Sequence, residues 1–136
     1  MNKRNPDLWI EAEAMHRAAA TGDLTKIEHL LRAGYAVSGF DEFGETPLHH
    51  AVRAEQFKAV KSLLEHGAAV NALNDFTRTT PIGLAAAGDD PAIVALLLAH
   101  GADPYLVGTS MGQCALDYAR QNRNEYGDEI RQMLKD

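Results

Sequence analysis

The segment Thr46-Pro47-Leu48-His49-His50-Ala51-Val52 decides the fold. Thr46 is a good helix N-cap, because its hydroxyl oxygen can accept from an orphan amide of the first turn. Pro47, at the first helical position, loses no hydrogen bond and has its φ preset for a helix. His49 falls three residues after the cap, where a polar side chain can reach back as in a capping box. Leu48, Ala51 and Val52 stand at i, i+3 and i+4, which gives this short helix one apolar face. Phe57, Val60, Leu63 and Leu64 repeat the pattern over a second helix. Gly67 ends it, since glycine is the residue that adopts a left-handed C′ conformation at least cost.

The two-helix unit recurs along the chain. Ile27-Glu28-His29-Leu30-Leu31-Arg32-Ala33-Gly34, Val60-Lys61-Ser62-Leu63-Leu64-Glu65-His66-Gly67 and Val94-Ala95-Leu96-Leu97-Leu98-Ala99-His100-Gly101 align, with their glycines 33 and 34 residues apart. A second series leads the units: Met15-His16, Leu48-His49, Ile82-Gly83 and Leu116-Asp117, at spacings of 33, 34 and 34. Two independent markers share one period. Each unit alone has too little core, so neighbours must stack to hide their apolar faces. Small alanines on the first helix of each unit let its partner come close.

Thr46-Pro47-Leu48-His49-His50-Ala51, Gly67-Ala68-Ala69-Val70-Asn71-Ala72, Thr80-Pro81-Ile82 and Gly101-Ala102-Asp103-Pro104 resemble the ankyrin repeat signature, over roughly residues 13–134. The resemblance implies an all-α fold, a solenoid of stacked helix-turn-helix units with short β-hairpin-like fingers between them. The expected units are approximately 5–38 as N-terminal cap, 39–71, 72–105, and 106–136 as C-terminal cap, in a single domain over 1–136. Unit 1 reads Glu13-Ala14-Met15-His16 and lacks Thr-Pro, so its first helix is expected to reach back to Pro6, with Asn5 as cap and Trp9 shielding the end of the stack. In unit 4 the second helix is expected over Asp128–Lys135, where Ile130, Met133 and Leu134 mix with charges. Unit 3 has Gly83 in the histidine position and one extra residue before Thr80. Unit 4 shares that extra residue before Cys114, so longer fingers are expected in both.

Composition bounds the function. A chain of 136 residues buries about 65–70% of the surface its unfolded form exposes and needs no staple. Its one cysteine, Cys114, excludes an internal disulfide and agrees with a reducing compartment. Glu11 and Glu13 interrupt any apolar stretch near the N-terminus, so no secretory signal is read there. The longest apolar run, Ala92 to Ala99, is too short to span a bilayer, and a cytoplasmic location is expected. The net charge is −6, with an excess of two acids in each of the blocks 34–67, 68–101 and 102–136. No basic stripe exists to displace counterions, which disfavours nucleic acids and anionic membranes and favours a basic partner.

The six histidines invite a metal reading, but their places in the repeat argue otherwise. His16 and His49 occupy the capping position. His66 and His100 precede the helix-ending glycines, where imidazolium suits a helix C-terminus. His49 and His50 are adjacent and point about a third of a turn apart. Cys114 aligns with the Thr of the capping motif as a half-buried thiol, with nothing to lower its pKa. Gly108-Thr109-Ser110-Met111-Gly112 lies in a finger with no lysine after it, which reads as a turn rather than a phosphate cradle. No catalytic residue, metal site or cofactor is read, and the chain is not expected to be an enzyme.

The resemblance implies a concave recognition surface made by the fingers and the exposed side of each first helix. The positions carried over are Phe40, Glu42, Phe43 and Glu45 in the second unit. In the third they are Leu73, Asp75, Phe76 and Arg78, and in the fourth Val107, Met111 and Gln113. Arg53, Ala54, Ala87 and Gln121 line the helix side. Phe40, Leu73 and Val107 share one column, and Phe43, Phe76 and Met111 another. Turn tips normally carry polar residues, so aromatics ringed by acids read as an interface core with a charged rim. The alternative is that Phe43 and Phe76 tuck against the next finger as local packing. Asp41 and Asn74 fall where the family uses a turn-stabilising Asp.

The expected function is to bind one protein partner, a basic one by charge, with no nucleic acid and no membrane, as a monomer when free. The short chain, capped at both ends, reads as free-standing. Small ankyrin proteins of this kind often act as inhibitors, including immunity proteins that neutralise a cognate toxin. The alternatives are an accessory or assembly subunit of a larger enzyme or regulator and, more remotely, a hydrolase or metal enzyme.

Overall fold

A computed structural model describes the backbone of residues 6–106 and 114–135, and the side chains of that range from Glu13 onward. Among the described residues the chain forms eight helices in four consecutive pairs: α1 (Pro6–Thr21) with α2 (Leu24–Arg32), α3 (Pro47–Arg53) with α4 (Phe57–Glu65), α5 (Pro81–Ala86) with α6 (Pro91–Ala99), and α7 (Ala115–Gln121) with α8 (Gly127–Lys135). The first helices pack on one another in the order α1, α3, α5, α7, and the second helices in the order α2, α4, α6, α8. The expected all-α stack is thus what forms, with no strand among the described residues.

The core runs between the two layers. In the series that marks the period in sequence, Met15, Leu48 and Ile82 are buried and Leu116 is half-buried; Ile27, Val60, Leu63, Val94, Leu97, Ile130 and Leu134 are buried behind them. Ala19, Ala51, Ala86 and Ala119 are fully buried on the first helices, where a larger side chain would hold the layers apart. Burying each such Leu or Ile contributes about 1.5–3 kcal/mol. Truncating Leu63 or Leu97 to Ala therefore costs about 2–5 kcal/mol, including the cavity left behind.

Local signals set the helix ends. Thr46 Oγ1 accepts from His49 N at 3.4 Å and Thr80 Oγ1 from Gly83 N at 3.1 Å. At Cys114 only the return half of the box is clear, with its amide donating to Asp117 Oδ2 at 2.9 Å. Gly34, Gly67 and Gly101 have φ of +95°, +86° and +90°. Each is followed by the same closing bond, Tyr35 N to Leu30 O, Ala68 N to Leu63 O and Ala102 N to Leu97 O, the Schellman arrangement that satisfies orphan carbonyls.

Three expectations need correction. His16 does not cap a helix, because α1 begins ten residues earlier at Pro6. Phe57 opens α4 and is 38% exposed instead of joining the apolar face. Helix α8 begins at Gly127, one residue before the expected Asp128. The cap expected at Asn5 and the shielding expected of the Trp9 side chain lie outside what is described.

Candidate functional site

Two fingers are described, one entering α3 and one entering α5, and each is built on a single side chain. In the first, Asp41 Oδ1 accepts from the amides of Phe43 and Glu45, both at 2.9 Å, while Asp41 N donates to Glu45 O at 2.9 Å. In the second, Asn74 Oδ1 accepts from Phe76 N at 2.7 Å and Thr77 N at 3.0 Å, and Asn74 N donates to Thr79 O at 3.0 Å. The closing bond spans one residue more in the second finger, the lengthening that the sequence predicts for unit 3. Gly44 supplies a left-handed residue in the first finger, φ +71°, and Arg78 does so in the second, φ +60°. Asp75 N donates to Gly44 O at 2.9 Å and joins the two fingers.

Histidines fasten the fingers to the helices. His49 Nε2 donates to Thr79 O at 2.9 Å, while its Nδ1 accepts from Thr46 N at 3.2 Å. Only the neutral ring with its proton on Nε2 can do both. Burial pushes the His49 pKa below its ordinary value, against the opposing pull of the Thr79 carbonyl and Glu45. One unit earlier, His16 Nε2 donates to Glu45 O at 2.9 Å and Gly39 O at 2.8 Å. His16 and His49 thus do the same work, each holding the carbonyl just before the next unit's threonine cap. Repeat position could have revealed this, since His16 stands 33 residues before His49.

The structure separates the residues carried over as partner contacts. Phe40, Phe43 and Phe76 are 48%, 64% and 73% exposed. Glu42, Asp75 and Arg78 are exposed beside them, as are Arg53, Ala54, Ala87 and Gln121 on the helix side, and Leu73 is half-buried. The ring of Phe76 comes close over Gly44, within 3.0 Å of where a Cβ would stand, yet most of it faces solvent. Val107, Met111 and Gln113 lie outside the described residues.

Glu45 departs from its expected place. It is 5% exposed, with a two-pronged ion pair to Arg53 Nη1 and Nη2 and His50 Nε2 at 3.5 Å. The Arg53 guanidinium holds the Glu45 carboxyl below the usual carboxylate range, more strongly than burial raises it. Its side chain is spent inside the molecule. Asp41 is tied in too: burial alone would raise its pKa, but the Glu45 amide and His50, whose Nε2 lies 2.8 Å from Oδ2, bring it down.

Sequence reasoning also missed an open cleft of about 280 Å³ between α1 and the first finger, lined by Glu13, Arg17, Asp41, Glu42, Phe43 and His50, among others. Among the described residues, no set of three or more His, Cys, Asp or Glu side chains is placed to hold a metal, and no helix is long and apolar enough to cross a membrane.

Comparison with known proteins agrees with this geometry. A family model for ankyrin repeats in three copies matches residues 2–74, and a single ankyrin repeat model matches residues 78–109. The chain belongs to the ankyrin repeat family. Among its ankyrin relatives, Ankyrin repeat and KH domain-containing protein mask-1 of Caenorhabditis elegans is 38% identical over 109 residues, covering 80% of this chain and 4% of the relative. Tyrosine-protein kinase Shark of Drosophila melanogaster is 35% identical over 109 residues, 79% of this chain and 11% of that one. RelA-associated inhibitor of Mus musculus is 32% identical over 111 residues, 82% of this chain and 13% of the relative. The chain therefore spans a small part of these proteins' length. As a set of ankyrin repeats, it is a protein-interaction module.

Proposed function

We propose that this ankyrin module captures one protein partner on its finger face, as an inhibitor, and that the partner presents a basic surface. The observation that carries the reading is the trio of Phe40, Phe43 and Phe76, all large and at least 48% exposed, beside the exposed acids Glu42 and Asp75. An apolar centre with an acidic rim suits a target with apolar pockets and basic edges, and the net charge of −6 steers such a target in. An immunity protein that neutralises a basic toxin is one form of such an inhibitor. A relative named as an inhibitor, RelA-associated inhibitor, agrees with this use of the scaffold. An accessory or assembly role is the second reading, favoured by the small share of each relative that the match covers.

The test starts with tagged protein purified from its native host and identification of any partner bound one to one. Phe43→Ser and Phe76→Ser are then measured for affinity and melting temperature. Each is expected to weaken capture by roughly 30-fold, as a hot spot of about 2 kcal/mol does, with Tm unchanged. If Tm falls while affinity holds, these rings serve local packing and the reading fails. An acidic partner would defeat the charge argument, and a partner that keeps its activity when bound would favour the assembly role.

A further inference from the structure

The cavity at the α7–α8 connection is lined by more bases than acids, although the segment around it also carries Asp117, Glu125 and Glu129. In a chain with 13 Lys and Arg against 19 Asp and Glu, three arginines gather round one open, polar cavity of about 340 Å³. Arg120, Arg123 and Arg131 line it together with Asn122, Asn124 and Asp128.

The arginines differ in how far they are committed. Arg131 is anchored, since its Nη1 donates to Ala119 O at 2.9 Å and Asn122 O at 3.1 Å and its Nη2 pairs with Asp128. The amide groups of the two asparagines are also spent. Asn122 Nδ2 donates to Ala86 O and Gly88 O, both at 2.9 Å, and Asn124 Nδ2 to Gly88 O at 2.8 Å. These bonds fix the frame of the cavity against the preceding unit. Arg120 and Arg123 are exposed. Arg120 has one long contact, 3.6 Å to Asp117, and Arg123 makes no hydrogen bond or ion pair among the described residues.

Guanidinium forks match planar and tetrahedral oxyanions, and one fork satisfies one carboxylate. Arg123, which has no partner among the described residues, and Arg120, whose one ion pair is long, line the same cavity and together suit an anion of charge two. The geometry points to a phosphate-binding site at the α7–α8 tip, which takes a phosphate dianion, free or as a small monoester, on Arg120 and Arg123. The fingers lead into the N-terminal ends of the first helices, whereas this tip follows the C-terminal end of α7. The site is therefore separate from the finger face and independent of the inhibitor reading.

The experiment titrates ¹⁵N-labelled protein at pH 7.5 with inorganic phosphate and separately with phosphoserine, with sodium chloride at matched ionic strength as control. The expected result is a saturable shift of amides near residues 119–131, absent with chloride. Arg120→Gln with Arg123→Gln should weaken it about tenfold or more, with the spectrum elsewhere unchanged. Asp128→Asn, which removes the opposing carboxylate, should tighten it several-fold. Lowering the pH through about 6, where a phosphate ester loses its second charge, should weaken binding. Saturation by both ligands assigns the site to the phosphate group itself, and saturation by phosphoserine alone assigns it to esters. Shifts that do not saturate, a double variant that responds like the unaltered protein, or no gain with Asp128→Asn would overturn the proposal.

Discussion

The imidazole of His49 lies 2.9 Å from the carbonyl oxygen of Thr79, 30 residues further along the chain. That bond ties the start of α3 to the end of the following finger, and His16 makes the matching one to Glu45 O. Neither contact is local, so each helps turn separate units into one cooperative fold. Replacing His49 with Ala leaves the Thr79 carbonyl and the Thr46 amide without their partner and opens a cavity. The expected loss is about 2–4 kcal/mol, read from urea unfolding.

The same ring sets a pH dependence. His49 is held neutral, its pKa lowered from 6.5 chiefly by burial. The unfolded chain takes up that proton first, so this stabilisation is present above about pH 6.5 and is lost as pH falls toward the lower folded value. Glu45, lowered from 4.5 chiefly by its hydrogen bond from Arg53, adds stability that is present above 4.5 and is lost as pH falls through its folded pKa. The urea midpoint should thus drop in two stages between pH 8 and pH 3. His49→Gln should flatten the upper stage and leave the lower one, and an unchanged upper stage would exclude His49 as its source.

Two glycines with similar φ should answer substitution differently. At Gly67 a Cβ would meet nothing within 4 Å, so Gly67→Ala costs only the left-handed backbone penalty, roughly 1–2 kcal/mol. At Gly44 a Cβ would stand 2.7 Å from Asp75 Cβ and 2.9 Å from Asp75 N. Gly44→Ala must therefore push the fingers apart and is expected to cost at least about 1 kcal/mol more than Gly67→Ala. Thermal melts of the two variants side by side decide this.

The period of Met15, Leu48 and Ile82 carried the stack legibly, because a solenoid's core depends on nearest neighbours in sequence. Asp41 and Asn74 were legible too, since their work is done within five residues. Glu45 was not. A charged residue at the end of a finger reads as exposed, and only the placement of Arg53 and His50 on α3 takes it inside. His16 was misread for a related reason: its role depends on where α1 begins, and no Thr-Pro marks that start. The α7–α8 cavity escaped notice because its arginines are spread over twelve residues, with no motif to bind them.

Arg78 holds a φ of +60° where the first finger uses glycine, and a side chain in that conformation strains the backbone by roughly 1 kcal/mol. The molecule therefore keeps an unused reserve of robustness at that corner. Arg78→Gly should raise Tm, and because it also takes a cation off a face proposed to meet a basic target, the sturdier variant should bind that target no worse.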